Sequence, residues 1–321
     1  MQDKNFQYYD YVIYHKNCLD GFTGFFLLSI TNKIHKNAII FPDVPSASSP
    51  PANLENKNVI IIDVAYKKSI IQQILGKVKK MTFIDHHVSI RDDILSLNIQ
   101  DPHEIIYNEK KSGASLVWNY FFGNETKNIP LFVRYIQDND TGTWKLKHTM
   151  AFINALEVNY PTIPSKENLR HWNSLFDQEI VKKLIRKGNI YNEYRNYLID
   201  QNVKKYSLES FPGEKLYNAF PNAFNAPGQY KVVLYNGGGC PTASHLSIKF
   251  LQKINCDFII FWVLNMDRKE YVLQFRSSKV DVGRIAKLFG GGGHTLASAC
   301  SIPINKYNIN ELFMPDSLPR N

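Results

Sequence analysis

Short apolar strands alternate with helical segments through the first half of this 321-residue chain. The segments YVIYH, NVIIIDVA and MTFIDHH are rich in β-branched and aromatic residues, and stretches with helical spacing, such as DGFTGFFLLSITNKI and KKSIIQQILGKVKK, lie between them. In a later helical segment, SGASLVWNYFFG, Ser112 is the expected N-cap. Apolar strands separated by helices predict a mostly parallel sheet that is covered by helices on both faces. We therefore expect an α/β protein.

The rest of the chain predicts a connector and a second, smaller α/β unit. Apolar residues recur at spacings of three and four between Ser165 and Ser207, which indicates helix, and FPGEKLYNAFPNAFNAPGQ predicts a loop. From Tyr230 onward, the strands YKVVLYN, CDFIIFWVLN and EYVLQFRSS accompany the helical segments CPTASHLSIKFLQK and DVGRIAKLFG. We predict a first domain over 8–150, a helical connector and loop over 151–228, and a second domain over 229–305.

Polar side chains lie at the ends of three predicted parallel strands. The residues concerned are His15 with the nearby Asp20, then Asp63, and then Asp85, His86 and His87. Ligand sites in such sheets lie beyond the carboxyl ends of the strands, so these side chains are expected to meet at one edge. Carboxylate and imidazole ligands suit manganese, magnesium, iron or zinc. A bridging aspartate between two ions would suit phosphoryl transfer.

Two further acids, Asp138 and Asp140 in YIQDNDTGTW, follow a helical run. They fit either a turn at a helix end or an additional pair of ligands. In the second unit, the glycine run that ends at His294 precedes TLASA, which we predict to be helical. Backbone N–H groups of glycines and a helix N-terminus bind anions, and Arg276 and His294 add phosphate-binding side chains.

Charge, hydrophobicity and cysteine content favour some kinds of partner and cellular compartment over others. The net charge of +9 favours an anionic partner such as a nucleotide or nucleic acid. The basic cluster Lys182, Lys183, Arg186 and Lys187 fits a solvated helix face or a nucleic-acid-binding patch. Neither a signal peptide nor an apolar run of membrane-spanning length is visible, so we expect a cytoplasmic protein without membrane contact. The four cysteines, Cys18, Cys240, Cys256 and Cys300, form no C-x-x-C pair, which fits a reducing compartment.

The segment IDHHVS resembles the signature of the DHH phosphoesterase superfamily, and FRSSKVDVGRIAKLFG with GGGGHTLASA resembles its DHH-associated C-terminal domain. The resemblance extends from about Tyr9 to Pro303, with the motifs in the same order. It implies a DHH domain followed by a substrate-binding domain, two bound divalent ions that are generally manganese (with magnesium or another divalent ion as the alternative), and hydrolysis of phosphoester bonds.

The resemblance also implies roles for matching residues. The implied metal ligands are His15, Asp20, Asp63, His86 and Asp138, with Asp140 as an alternative register and Asp63 as the bridging ligand. His87 is implied to face the scissile phosphate, with Asp85 supporting it as a second catalytic residue. The implied contacts with the substrate's phosphate or terminal nucleotide are Arg276, Ser277, Gly292, Gly293 and His294.

One position departs from the family pattern, because Cys18 stands where many members have an aspartate. It could ligate a softer metal as a thiolate, or it could be an apolar filler. We predict a phosphoesterase acting on short oligonucleotides or nucleotides, such as an exonuclease of short RNA, and a homodimer is compatible with this prediction. The alternatives are a phosphodiesterase of cyclic dinucleotides, a phosphatase of bisphosphorylated nucleosides, and a nucleotide-binding regulator that has lost a metal at Cys18.

Overall fold

The computed structural model describes residues 8–45, 47–123, 129–237, 239 and 241–315. It divides into two compact units, with the boundary between Asn192 and Glu193. The first unit contains a five-stranded sheet and the second a seven-stranded sheet, so the α/β prediction is confirmed. The three-part division at 150 and 228 stays a prediction about domain organisation.

The sheet of the first unit is parallel throughout. Its strand order is β2-β1-β3-β4-β5, and the strands are β1 (Tyr9–His15), β2 (Ile34–Asp43), β3 (Asn58–Ile62), β4 (Lys80–Asp85) and β5 (Glu104–Tyr107). Alternate residues of β3 enter two different apolar clusters, with Ile60 and Ile62 in one and Val59 and Ile61 in the other. The sheet is therefore buried on both faces, as the apolar strand sequences predict.

Helices cover this sheet and continue into the connector. They are α1 (Leu19–Ser29), α2 (Lys68–Leu75), α3 (Arg91–Leu95), α4 (Gly113–Phe122), α5 (Leu131–Asp140), α6 (Thr149–Asn159), α7 (Lys166–Asn173) and α8 (Gln178–Asn202). The N-cap of α4 is Ser112, as predicted, and its hydroxyl accepts a hydrogen bond from the Ser115 backbone N–H. Helix α8 begins in the first unit and ends in the second.

The sheet of the second unit is mixed, with only β7 and β8 parallel to each other. Its order is β10-β11-β9-β8-β7-β6-β12, and the strands are β6 (Ser207–Phe211), β7 (Tyr230–Asn236), β8 (Phe258–Asn265), β9 (Glu270–Ser277), β10 (Gly292–His294), β11 (Ala297–Pro303) and β12 (Met314–Pro315). Its helices are α9 (Glu214–Ala219), α10 (Ala243–Lys253) and α11 (Val282–Leu288).

Two local predictions are wrong. The stretch TLASA is not helical, because a turn at Thr295 and Leu296 leads directly into strand β11. The presumed loop after Phe211 contains α9, and the strand before it, β6, belongs to the sheet. Within the described residues, no helix is long and apolar enough to cross a membrane. Three cysteines are free, and Cys240 lies outside the described residues.

The strand register determines where the polar residues lie in the first unit. Tyr14 of β1 pairs with Ile62 of β3, and Ile62 pairs with Ile84 of β4. The residue after each of these is therefore level with the others at the carboxyl edge, and those three residues are His15, Asp63 and Asp85. This edge lies where the strand order reverses between β1 and β3, which is the usual ligand position in open α/β sheets.

Candidate metal centre

Two overlapping groups of side chains at this edge have spacing suitable for metal ions. The ligand atoms of His15, Asp63 and His87 lie within 4.8 Å of one another, and so do those of Asp20, Asp63 and His86. Asp63 belongs to both groups and is 1% exposed. One carboxylate therefore has ligand partners on two sides, which is the arrangement of a bridging ligand.

The backbone of Asp63 is unusual. Its φ angle is +64°, in the left-handed region, although β3 ends only one residue earlier. Aspartate enters this region more readily than most residues, but a non-glycine residue there costs about 1–3 kcal/mol. The strained turn places the carboxylate 3.4 Å from His15 Nδ1 through Oδ2 and 3.2 Å from His86 Nε2 through Oδ1.

Asp20 is held by the N-terminus of α4. Its Oδ2 accepts a hydrogen bond from the Gly113 backbone N–H (2.5 Å) and its Oδ1 accepts one from Ala114 (3.0 Å). A Cβ atom at Gly113 would lie 2.8 Å from Asp63 Cβ and 3.0 Å from Asp20 Oδ2, so no larger residue fits there. Sequence reasoning missed Gly113, and the only local signal was the predicted Ser112 cap beside it.

Asp85 orients the two histidines that follow it. Its Oδ1 accepts hydrogen bonds from the backbone N–H groups of His86 (2.6 Å) and His87 (2.8 Å) and lies 2.8 Å from His87 Nδ1. Burial disfavours a charged His87, but the hydrogen bond to Asp85 outweighs burial and raises the His87 pKa. With Nδ1 occupied by Asp85, the Nε2 atom is the nitrogen that His87 can offer to a substrate.

The structure brings Asp140, and not Asp138, to the cluster. Asp140 Oδ2 lies 3.1 Å from His86 Nε2. Asp138 instead accepts hydrogen bonds from the Thr143 hydroxyl, from the Lys145 and Leu146 backbone N–H groups and from the Thr149 hydroxyl. Both of its oxygens are therefore occupied by the loop after α5. Of the two acids, Asp140 is therefore the one that lies beside the other candidate ligands, in the register that the sequence offered as the alternative. Ligation by either residue stays a prediction.

Cys18 contacts the shared carboxylate. Its Sγ donates a hydrogen bond to Asp63 Oδ2 over 3.3 Å. Burial, together with the charges of Asp63 and Asp20, raises the Cys18 pKa, so the group present at neutral pH is the thiol. The thiol is therefore a hydrogen-bond donor to the bridging residue, a role that differs from both the thiolate ligand and the inert filler.

The cluster has a surplus of negative charge. The Nε2 atom of His86 lies 3.2, 3.8 and 3.1 Å from carboxylate oxygens of Asp63, Asp20 and Asp140. Burial and the neighbouring carboxylates raise the pKa values of Asp20 and Asp140. Burial opposes ionisation of Asp63, but the neighbouring imidazoles of His15, His86 and His87 lower its pKa. Burial also opposes a charged His86, yet its carboxylate neighbours raise its pKa to about 9.

These residues fit divalent ions. One imidazole N–H cannot satisfy three carboxylates at once, and buried carboxylates without a counter-charge are strongly unfavourable. The Nδ1 atom of His15 is buried and makes no hydrogen bond within the described residues. A buried imidazole nitrogen beside several carboxylates is typical of a cation site, and carboxylate oxygens with imidazole nitrogens fit manganese, magnesium, iron or zinc.

The predicted substrate residues of the second unit lie on one hairpin and its neighbours. Gly292, Gly293 and His294 form β10, and Arg276 pairs with Ala297 of β11. Arg276 donates to the Phe275 carbonyl (2.8 Å) and to the Ser244 hydroxyl (3.4 Å), and burial lowers its pKa. His294 is exposed.

Two of the predicted contact residues have structural partners already. The Ser277 hydroxyl donates to the Asp257 carbonyl and accepts from the Lys279 and Val280 backbone N–H groups. A Cβ atom at Gly293 would lie 2.6 Å from the Ala297 carbonyl oxygen, and its φ is +138°. Local packing therefore explains both residues, through the hairpin for Gly293 and through the turn after β9 for Ser277. Because Thr295 and Leu296 form a turn and β11 begins at Ala297, the segment that follows His294 does not supply the helix N-terminus predicted there.

No family model matches the chain. It is 27% identical over 309 residues to the uncharacterised protein R106 of Acanthamoeba polyphaga mimivirus. That match covers 90% of this chain and 66% of the mimivirus protein, so the chain spans slightly less than two thirds of its relative.

Among solved structures, the pGpG-specific phosphodiesterase PggH of Vibrio cholerae superposes with a TM-score of 0.53. The two chains share 14% identity, and the match covers 94% of this chain and 95% of PggH. An exopolyphosphatase-related protein of Bacteroides fragilis covers 91% of this chain and 86% of its own, at 15% identity and a TM-score of 0.40. This chain therefore shares its fold with PggH over nearly its whole length, which covers both the parallel N-terminal sheet and the mixed C-terminal sheet. The fold agrees with the structural similarity to DHH phosphoesterases that the sequence motifs predict.

Proposed function

We propose that this protein is a divalent-metal-dependent hydrolase of phosphodiester bonds in short oligonucleotides or nucleotides. The observation that supports this most directly is the position of Asp63, which belongs to two ligand groups at once. Two ions that share a carboxylate suit phosphoryl transfer, because they can stabilise both the attacking and the leaving oxygen.

The residues divide naturally between two ions. His15 and Asp63, with His87 close by, would hold one ion, and Asp20, Asp63, His86 and Asp140 would hold the other. Manganese is the expected ion and magnesium or another divalent ion the alternative, as the resemblance to DHH phosphoesterases implies. The ligand atoms, which are carboxylate oxygens and imidazole nitrogens, are also compatible with iron or zinc. When bound, such ions lower the pKa of a water molecule and neutralise charge on the phosphoryl group.

His87 would contact the substrate directly, and Asp85 would act through His87. Asp85 fixes the ring of His87 and favours its protonated form. The Nε2–H of His87 would then donate a hydrogen bond to a phosphoryl oxygen, where negative charge increases during the reaction. Asp85 would contribute by orientation, since its hydrogen-bonded oxygen faces the histidines of its own strand end.

The substrate class is supported by fold and charge. PggH, whose fold this chain shares, is a phosphodiesterase specific for the dinucleotide pGpG, and the net charge of +9 favours polyanions. In the second unit, Arg276 and His294 remain the proposed phosphate contacts. Cyclic dinucleotides and bisphosphorylated nucleosides are the alternative substrates. A homodimer stays a prediction.

A nucleotide-binding regulator is the second candidate, and the observation that favours it is Cys18. A thiol that donates to Asp63 withdraws one lone pair from the bridging position. The third alternative, nucleic-acid binding by the basic cluster of α8, is weakened because Lys182 pairs with Glu179 and Lys187 with Asn159.

The test uses chelator-stripped protein to which manganese is restored. We would offer a labelled RNA dinucleotide, a longer single strand, a cyclic dinucleotide and phosphoadenosine phosphate in parallel. Asp63→Asn is the decisive variant, because asparagine tolerates the left-handed backbone and removes only the charge. Asp92→Asn, at an exposed acid of α3, is the matched control.

Turnover that manganese restores, that Asp63→Asn abolishes and that Asp92→Asn preserves would support the hydrolase. Nucleotide binding without turnover of any of the four substrates would favour the regulator instead. Binding that increases with polymer length and depends strongly on salt would favour the nucleic-acid-binding alternative.

A further inference from the structure

An exposed tryptophan lies in the loop directly after the candidate metal centre. Trp144 is 48% exposed, although most of a tryptophan's surface is usually buried in a folded protein. Its φ angle is +50°, in the left-handed region. A bulky residue is rare there, so neither burial nor backbone preference explains a tryptophan at this position.

The loop that presents Trp144 is anchored by Asp138. That carboxylate is 5% exposed and accepts four hydrogen bonds from residues 143–149. The Asp138 carbonyl also accepts the backbone N–H groups of Thr143 (3.2 Å) and Trp144 (3.4 Å). The backbone at Trp144 is therefore tied to the end of α5, while about half of the residue's surface remains exposed to solvent.

Trp144 lies close to the metal ligands along the chain. Asp140, whose carboxylate contacts His86, precedes it by four residues, and four residues span at most about 14 Å. Nucleotide bases lie within this distance of their own phosphates. Two exposed lysines, Lys145 and Lys147, follow the tryptophan and add positive charge on the same loop.

We propose that Trp144 stacks on a nucleobase next to the scissile phosphate and so determines that the substrate must carry a base. This inference rests on the proposed function and makes it more specific. Every base has a π-face on which an indole can stack, so the contact selects nucleotides without selecting a sequence. It disfavours inorganic pyrophosphate, polyphosphate and phosphoesters that lack a base.

The experiment measures equilibrium binding to chelator-stripped protein with manganese restored, and the binding probe is a dinucleotide with a hydrolysis-resistant linkage, so that the result does not depend on turnover. The unmodified dinucleotide is used only to test hydrolysis. The base-free probes are the corresponding ribose-phosphate compound without bases and inorganic pyrophosphate. Trp144→Asn removes the ring while suiting the left-handed backbone, and Trp144→Phe keeps an aromatic ring. Melting temperatures of both variants report whether the fold is intact.

We expect Trp144→Asn to weaken dinucleotide binding about ten- to a hundredfold, and Trp144→Phe to weaken it by a few-fold at most. Binding of the two base-free probes should be the same in all three proteins. Tryptophan fluorescence of the wild type should be quenched by the dinucleotide but not by pyrophosphate, and Trp144→Phe should lose this quenching.

Equal dinucleotide affinity of the wild type and Trp144→Asn would overturn the proposal, as would quenching that persists in Trp144→Phe. Absence of dinucleotide binding to any of the proteins would overturn it too. Quenching by the hydrolysis-resistant dinucleotide without hydrolysis of the unmodified one would support the stacking role while contradicting the proposed hydrolase, so the two failures are distinguishable.

Discussion

The strand-end cluster of the first unit and the glycine hairpin of the second unit both contain recognisable motifs, but packing explains them to different degrees. At the strand ends, the carboxylates of Asp20, Asp63 and Asp140 all lie within 3.8 Å of one imidazole nitrogen. Backbone N–H groups of α4 account for the position of Asp20, but not for the crowding of three acids at one nitrogen. In the hairpin, Gly293 and Ser277 are accounted for by a close strand and a turn. A motif residue therefore indicates a chemical role most strongly where packing and internal hydrogen bonds do not by themselves explain its position.

The largest expected effect is at Gly113. Gly113→Ala would force its Cβ against Asp63 and Asp20, so we expect loss of bound metal and a fall in turnover of about a thousandfold or more. Gly76→Ala, directly after α2, is the control, because the Cβ added there meets its nearest atom at an ordinary 3.7 Å. Metal content by elemental analysis and kcat are the measurements. A fully active Gly113→Ala protein would contradict the arrangement of the cluster.

The second-largest effect distinguishes the roles of the two acids of α5, Asp138 and Asp140. Asp140→Asn should weaken binding of one ion about a hundredfold without lowering the melting temperature, because it removes a ligand charge. Asp138→Asn should lower the melting temperature and retain both ions, because it disturbs the loop anchor. Manganese titration followed by electron paramagnetic resonance, with thermal unfolding of each variant, provides the comparison. The reverse pattern would restore Asp138 as the ligand.

A third prediction concerns the hairpin as a packing motif. A Cβ atom at Gly291 would lie 2.2 Å from the Ala299 carbonyl oxygen, so Gly291→Ala should destabilise the protein by about 3 kcal/mol. Nothing lies within 4 Å of a Cβ atom at Gly292, so Gly292→Ala should leave the free energy of unfolding nearly unchanged. Chemical denaturation measures both. Equal stabilities would show that the hairpin is less closely packed than described.

The smallest effect is expected for substrate binding by the second unit. Arg276→Ala should raise KM about tenfold with little change in kcat, because it removes a charge-assisted contact made equally in the ground state and the transition state. Arg268→Ala, in the turn between β8 and β9, serves as the control. Steady-state kinetics on the dinucleotide tests it, and an unchanged KM would remove Arg276 from the binding site.

Much of the first unit could be predicted from the sequence because its signals are local. Apolar strands that end in His15, Asp63 and Asp85 indicate a parallel sheet and its ligand edge. The contact between Asp20 and Gly113 joins residues 93 positions apart, and no local pattern encodes it. Asp138 and Asp140 are two residues apart on one helix and face different sides, so spacing alone could not choose between them.

The errors in the second unit have a different origin. The helix predicted after His294 is absent. The residues of β11 in fact alternate between buried and exposed, which is the period of a strand. Strand β6 is only five residues long and is followed directly by Pro212, so the turn-forming composition after it obscured the strand.

The left-handed backbone of Asp63 restricts how this chain can vary. Glycine, asparagine and aspartate are the residues that adopt such a conformation at low cost, and only aspartate among them brings a negative charge. Glutamate would retain the charge but would strain the backbone, and asparagine would relieve the backbone but lose the charge. At this position, the conformation of the main chain and the chemistry of the side chain therefore select the same amino acid independently.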